Sequence, residues 1–174
     1  MTKKEFLNAI SNAKADIVQF FLDALSSSKI EYCVIGGLAV NAYAEPVVSL
    51  DLDIVVAANN MEALIKAAKA QFKIQRFAHS VNLNTDKSDL RIQLQMDSRY
   101  QDFINRAVSH TVLGYKMKVA CVEDVFQGKI WAYLDDQRRK SKRQKDLADI
   151  VRLMEVYPAL AEILPAAISQ RLKY

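Results

Sequence analysis

The chain has 174 residues, of which 51% are apolar and 25% charged, with only 4 Gly and 3 Pro. This composition gives one globular domain with its own core, residues 1–174, and excludes a repeat array or a disordered chain. The net charge is +4, yet the basicity is one patch: RRKSKRQK, Arg138 to Lys145, holds six basic residues and no acid, and the remainder is slightly acidic.

Thr2 and Glu5 read as a capping box, and Phe6, Ile10, Ala13, Ile17, Phe21 and Ala24 recur at helical spacing, which predicts a helix up to the SSSK stop, bent near Ser11. EYCVIGGLAV reads as an apolar strand that ends on two glycines and runs into a short helix, and DLDIVVA as a second strand. A helix follows from Asn59 to about Gln71, then three short strands in FKIQRF, SVNLNT and DLRIQLQM. YQDFINRAV reads as helical and GYKMKVA as a strand. Helices then close the chain at VEDVFQGKIWAYL, at KRQKDLADIVRLME and up to Arg171. The expected fold is an α/β (α+β) layer: a mixed sheet of about five strands, spanning about residues 30–120, flanked by helices and followed by a helical part over about 121–174.

Cys33 and Cys121 are too few for a disulfide framework, and with His79 and His110 isolated they form no zinc pattern. The start has no apolar run of signal-peptide length, and the stretch from Tyr32 to Ala44 is too short to span a bilayer. The expected setting is the cytoplasm, with no membrane partner.

Asp51 and Asp53 lie two apart on a strand, so both carboxylates project from one face about 6.6 Å apart, while Leu52 and Ile54 face the other way. Two acids on one face suit a hard cation, Mg²⁺ or Mn²⁺, that shares its shell with phosphate oxygens; an exposed strand end with solvated acids is the plain alternative. Gly36 and Gly37 stand at a strand-to-helix turn upstream. Glycines there let backbone approach a phosphate, or simply make a tight turn. Neither a dinucleotide fingerprint nor a Walker pattern is present.

With these residues in place, YCVIGGLAVNAYAEPVVSLDLDIVV resembles the signature of the nucleotidyltransferase superfamily related to DNA polymerase beta. FQGKIWAYLDDQRRKSKRQKDLADIVRL is similar to the AbiEii-like abortive-infection group within it. The resemblance implies Gly36 and Gly37 as the nucleotide-phosphate turn, Ser49 as the hydroxyl residue before the acids, and Asp51 and Asp53 as catalytic metal ligands. It also implies Lys129, Lys145 and Asp146 as the C-terminal motif, with Lys145 on the nucleotide and Lys129 and Asp146 in the catalytic set. The implied reaction is Mg²⁺-dependent transfer of NMP from NTP to a hydroxyl on RNA (tRNA) or protein. The implied role is that of a toxin in a bacterial toxin–antitoxin or phage-defence system, with an antitoxin protein as partner.

Two departures stand out. Val47 occupies a place where the group often has arginine. The superfamily's third carboxylate falls on LRIQLQMD, where Asp89, Arg91, Gln93, Gln95 and Asp97 share one parity and only the ends are acidic. Glutamine does not titrate usefully as a base. Either Asp89 or Asp97 takes that role, or the protein is a weak or inactive nucleotide- or RNA-binding module.

On the helix from Val122 to Leu134, Lys129 falls inside the stripe of Val125, Phe126, Ile130 and Tyr133, so it needs an anionic partner or must snorkel to water. The expected partner is the metal-site pair or a bound triphosphate, with a core carboxylate as the alternative. On the next helix Leu147, Ile150, Val151 and Met154 are expected to be buried, Asp146 to lie at the border near Lys142, and Asp149 to face solvent. The basic run reads as a solvated face, able to hold phosphates but with no aromatic residue to stack on a base.

Overall fold

The computed structural model describes residues 1–172; Lys173 and Tyr174, the end of the expected helical part, lie outside the described residues. The Thr2 capping box forms, with Thr2 Oγ1 accepting from Glu5 N at 3.2 Å and Glu5 Oε2 from Thr2 N at 2.6 Å. It starts α1 (Lys3–Ile10). The expected bend is a full break: Asn12 takes φ +49°, and a second helix, α2 (Ile17–Ser27), restarts on the Asp16 cap. The break docks on the sheet, where Lys87 O accepts from Lys14 N and Ser11 O from Asp89 N.

The sheet contains β1 (Tyr32–Ile35), β2 (Asp51–Val56), β3 (Lys73–Arg76), β4 (Ser80–Thr85), β5 (Ser88–Gln95), β6 (Val108–Val112) and β7 (Tyr115–Val119), in the spatial order β3-β4-β5-β2-β1-β7-β6. Seven strands, not about five, form among the described residues. Besides β7, the strand read at GYKMKVA, the sheet gains an unread edge strand, β6, whose VSHTV sequence is mostly solvent-facing and carries little apolar alternation. The sheet is mixed: β2 runs antiparallel to β1 and parallel to β5, and β1 runs parallel to β7.

Between strands lie α3 (Gly36–Val40) and α4 (Met61–Ala68), and the chain closes through α5 (Val122–Leu134), α6 (Lys140–Val156) and α7 (Ala166–Leu172). The stretch read as helical, YQDFINRAV, lies mostly in a 3₁₀ helix over Ser98–Arg106, and its last residue, Val108, begins β6. No helix of the described residues is long and apolar enough to cross a membrane.

Alternation along β2 and β5 divides the sheet chemically. Leu52, Ile54, Leu90, Ile92 and Leu94 are buried in the apolar core, while Asp51, Asp53, Arg91, Gln93 and Gln95 are only partly covered on the opposite parity. This polar stripe faces a cavity closed by α5 and the first turns of α6.

Candidate active site

The cavity has a volume of about 140 Å³, and Gly36, Asp51, Asp53, Arg91, Lys129 and Lys142 are among its lining residues. Gly36 and Asp53 meet on its wall, their positions fixed by the antiparallel pairing of Ile35 with Asp53. Gly36 has φ +70°, and a Cβ there would lie 2.1 Å from Asp53 Oδ2. Both the backbone conformation and the space therefore require glycine. A Cβ on Gly37 would stand 3.1 Å from Ser49 Oγ and 3.8 Å from Lys145 Nζ, so Ser49 and Lys145 flank the same turn.

Asp53 is held against this turn, and burial, followed by the neighbouring charge of Asp51, pushes its carboxyl pKa up to about 6. The cations Lys129, Arg91 and Arg138 act in the opposite direction without cancelling the rise. Asp51 is more open. Its Oδ1 meets Arg91 Nη2 at 2.9 Å, and its Oδ2 accepts from Lys142 Nζ at 3.4 Å. Asp53, whose ionisation is opposed by the charge of Asp51, forms with it a donor set for a hard divalent cation, which would relieve that repulsion. Among the described residues no third His, Cys, Asp or Glu joins them, so phosphate and water would complete such a shell.

The two candidate acids of the third-carboxylate strand are engaged away from the cavity. Asp89 is exposed and accepts from Asn12 Nδ2 at 2.5 Å. Asp97 caps the 3₁₀ helix through Arg99 N and pairs with the Arg99 guanidinium at 2.6 Å. Neither lines the cavity, whereas Gln93 and Gln95 do. Gln95 Oε1 is turned back onto Met96 N and Asp97 N.

Lys129 and Asp146 also line the cavity, but they face each other. Lys129 Nζ lies 3.1 Å from Asp146 Oδ1 and 2.7 Å from Asp149 Oδ2, and all three side chains are at most 7% exposed. The expectation that Lys129 meets the metal-site pair is thus corrected to the alternative of core carboxylates. Asp149 is likewise corrected from solvent-facing to buried. The reason is electrostatic: an ammonium enclosed by α5 must be neutralised, and two acids three residues apart on α6 share the face turned to it. Arg138 closes on Asp146 at 2.6 Å and Arg152 on Asp149 at 2.7 Å, so each acid has a cation on either side. Lys142, expected beside Asp146, reaches Asp51 instead.

Arg152 extends the cluster to the loop before β2, donating to Asn41 Oδ1 and to the Glu45 carbonyl. Asn41 grips Val47 twice, donating from Nδ2 to its carbonyl at 2.7 Å and accepting from its N–H at 2.9 Å. The segment leading to Ser49 is therefore tied to α6. Sequence reading passed over Asp149, Arg138 and Arg152 as functional neighbours, although the spacing of Asp149 from Asp146 was visible. The basic run also divides: Arg143 donates to the Tyr133 carbonyl at 2.7 Å, Arg138 and Lys142 turn inward, and Arg139 and Lys140 stay exposed.

A family model described as "Nucleotidyl transferase AbiEii toxin, Type IV TA system" matches residues 21–174. No curated protein matches the sequence. Among solved structures, the antibiotic-resistance factor ANT(2'')-Ia, in complex with adenylyl-2''-tobramycin, superposes with a TM-score of 0.63 at 13% identity, over 90% of this chain and 97% of that one. The lincosamide antibiotic adenylyltransferase LnuA, lincomycin-bound, gives 0.57 at 12% identity, over 82% and 99%. An antigenic nucleotidyltransferase-like protein from Paracoccidioides brasiliensis gives 0.54 at 19% identity, over 88% and 78%. At such identities these likenesses establish the fold alone.

Proposed function

Since the chain belongs to the AbiEii nucleotidyl transferase toxin family, we propose that it acts as one nucleotidyltransferase domain, moving NMP from an NTP to a hydroxyl of RNA or protein as a toxin held in check by an antitoxin. The observation that carries this reading is the fit of Gly36 against Asp53, which leaves no room for a side chain between the turn and the carboxylate pair. Gly36, Gly37, Ser49 and Lys145 would border the triphosphate, and Asp51 and Asp53 would hold Mg²⁺ or Mn²⁺ with it. The cation would supply charge neutralisation on the phosphates.

In the reaction, the acceptor hydroxyl oxygen bonds to the α-phosphorus, the bond to the bridging oxygen of the β-phosphate breaks, pyrophosphate leaves, and the hydroxyl proton passes to water. Lys129, Asp146, Asp149 and their arginines hold α5 and α6 over the site; Lys129 contributes through its field on Asp53. Incubation with each labelled NTP, Mg²⁺ and a pool of tRNA or cell protein tests the reading, with covalent label and pyrophosphate expected and both lost in Asp51→Ala/Asp53→Ala. A second reading, binding of nucleotide or RNA without transfer, is favoured by Gln93 standing across from Asp53. It predicts metal-dependent nucleotide binding without pyrophosphate release.

A further inference from the structure

The face of β5 turned to the cavity presents no carboxylate to the acid pair. Its parallel register with β2 sets Arg91 across from Asp51 and Gln93 across from Asp53, the places from which a β5 side chain would touch whatever the pair holds. Asp89 and Asp97, the acids at the strand ends, are engaged with Asn12 and Arg99. Among the described residues Arg91 is held at one point only: its Nη2 meets Asp51 Oδ1 at 2.9 Å, while its Nε is buried and has no hydrogen-bond partner there. A guanidinium that lines a cavity with one nitrogen on a carboxylate and another on nothing lacks an oxygen acceptor, and its planar fork matches phosphate geometry.

We propose that Arg91 is a triphosphate ligand, and that the site takes a nucleoside triphosphate with one divalent cation, Arg91 supplying from β5 the positive charge that a second cation would otherwise carry. This rests on the reading of Asp51 and Asp53 as the metal and nucleotide site. A pair of ions needs carboxylates distributed over both, whereas two carboxylates hold one hard cation whose shell phosphate and water complete. When nucleotide and cation enter, Asp51 exchanges the guanidinium for the cation, and Arg91 turns Nε and Nη2 to phosphate oxygens. Lys142, also on Asp51, is freed in the same exchange. Asp51 in the ligand-free protein is thus neutralised by the side chains that later hold the substrate.

The test uses the full chain, Mn²⁺ and the α,β-methylene analogue of each of the four NTPs. Electron paramagnetic resonance of bound Mn²⁺ should give one ion per bound nucleotide. Arg91→Gln should weaken nucleotide binding by about tenfold or more at an unchanged melting temperature, and Arg91→Lys, which returns the charge without the fork, should recover part of the loss. Two Mn²⁺ per nucleotide, or wild-type affinity in Arg91→Gln, overturns the inference while leaving the site reading intact. If Arg91→Gln melts early, Arg91→Met, read at a temperature where it stays folded, decides, and wild-type affinity in that variant overturns the inference. Wild-type protein that binds none of the analogues with Mn²⁺ overturns the site reading and this inference together.

Discussion

The two acid pairs of this protein face the same like-charge repulsion and meet it in opposite ways. Asp146 and Asp149 are buried on α6, and each is enclosed by Lys129 and an arginine. Asp51 and Asp53 stand on β2 beside a cavity; Asp51 has one contact at 2.9 Å and a long one at 3.4 Å, and Asp53 makes no ion pair among the described residues. The difference teaches where charge is structural and where it awaits a ligand. A closed cluster has already satisfied its charges and can only lose by change, whereas an incompletely paired one carries an electrostatic cost that a bound cation removes.

The largest expected effect breaks the closed cluster. Lys129→Met leaves Asp146 and Asp149 buried with one cation each and should cost about 3–5 kcal/mol, read by denaturant unfolding. Adding Asp149→Asn should recover part of that loss, because it removes the anion that the lysine neutralised. A Lys129→Met protein with wild-type stability would mean that the cluster relaxes to water and that the contrast with β2 is false.

The open pair should respond with the opposite sign. The folded-state pKa of Asp53, about 6, lies above its ordinary 3.8. Below 3.8 the group is protonated folded and unfolded and contributes nothing. As pH rises toward 6 the unfolded chain releases the proton more readily, so folding loses stability, and the full cost persists above 6. That cost is on the order of 3 kcal/mol. Asp53→Asn should therefore melt higher than wild type near neutral pH and lose the decline between pH 4 and 6. Mg²⁺ with NTP should raise the wild-type melt and leave that of Asp53→Asn nearly unmoved.

Much of this contrast was legible in the sequence, and its gaps have physical causes. The β2 face and the glycine turn follow from period-two alternation and from the special backbone freedom of Gly36, both local properties. Lys129 announced its need for an anion because it interrupts an apolar stripe. Its partner was misjudged because the stripe on α6 was drawn through apolar residues alone, and that rotated Asp149 outward. Parity gave Arg91 its face, but only the register of two strands some forty residues apart in sequence gives it Asp51 as neighbour, and register is a tertiary fact. The β6 edge escaped because polar VSHTV carries no burial signal.

Within the open site, Gly36→Ala forces a Cβ against Asp53 Oδ2 and places alanine at φ +70°. The backbone term alone should cost about 1–2 kcal/mol, and the displaced carboxylate should weaken metal-dependent nucleotide binding further than Gly37→Ala, whose nearest contact is the Ser49 hydroxyl at 3.1 Å. Isothermal titration with Mn²⁺ and NTP analogues compares the two. Equal losses would show that the turn is needed only as a turn.

The smallest expected effect separates cations that serve the cavity from those that serve the surface. Arg139 and Lys140 are exposed at the start of α6, while Lys142 is on Asp51 and Arg143 on the Tyr133 carbonyl. Attraction to an RNA backbone comes from free charges that displace condensed counterions, and a cation already paired within the protein releases few. Arg139→Gln/Lys140→Gln should therefore flatten the dependence of RNA affinity on salt, by roughly 0.7 in the logarithmic slope for each single-strand phosphate that is no longer neutralised. Nucleotide affinity should not change in that variant. Lys142→Gln should do the reverse, altering nucleotide binding with little effect on the salt slope. Filter binding of a tRNA pool at several salt concentrations, beside nucleotide titrations, measures both. If the two variants flatten the slope equally, the basic run acts as one solvated face, and the division between inward and outward charge at the start of α6 does not hold in solution.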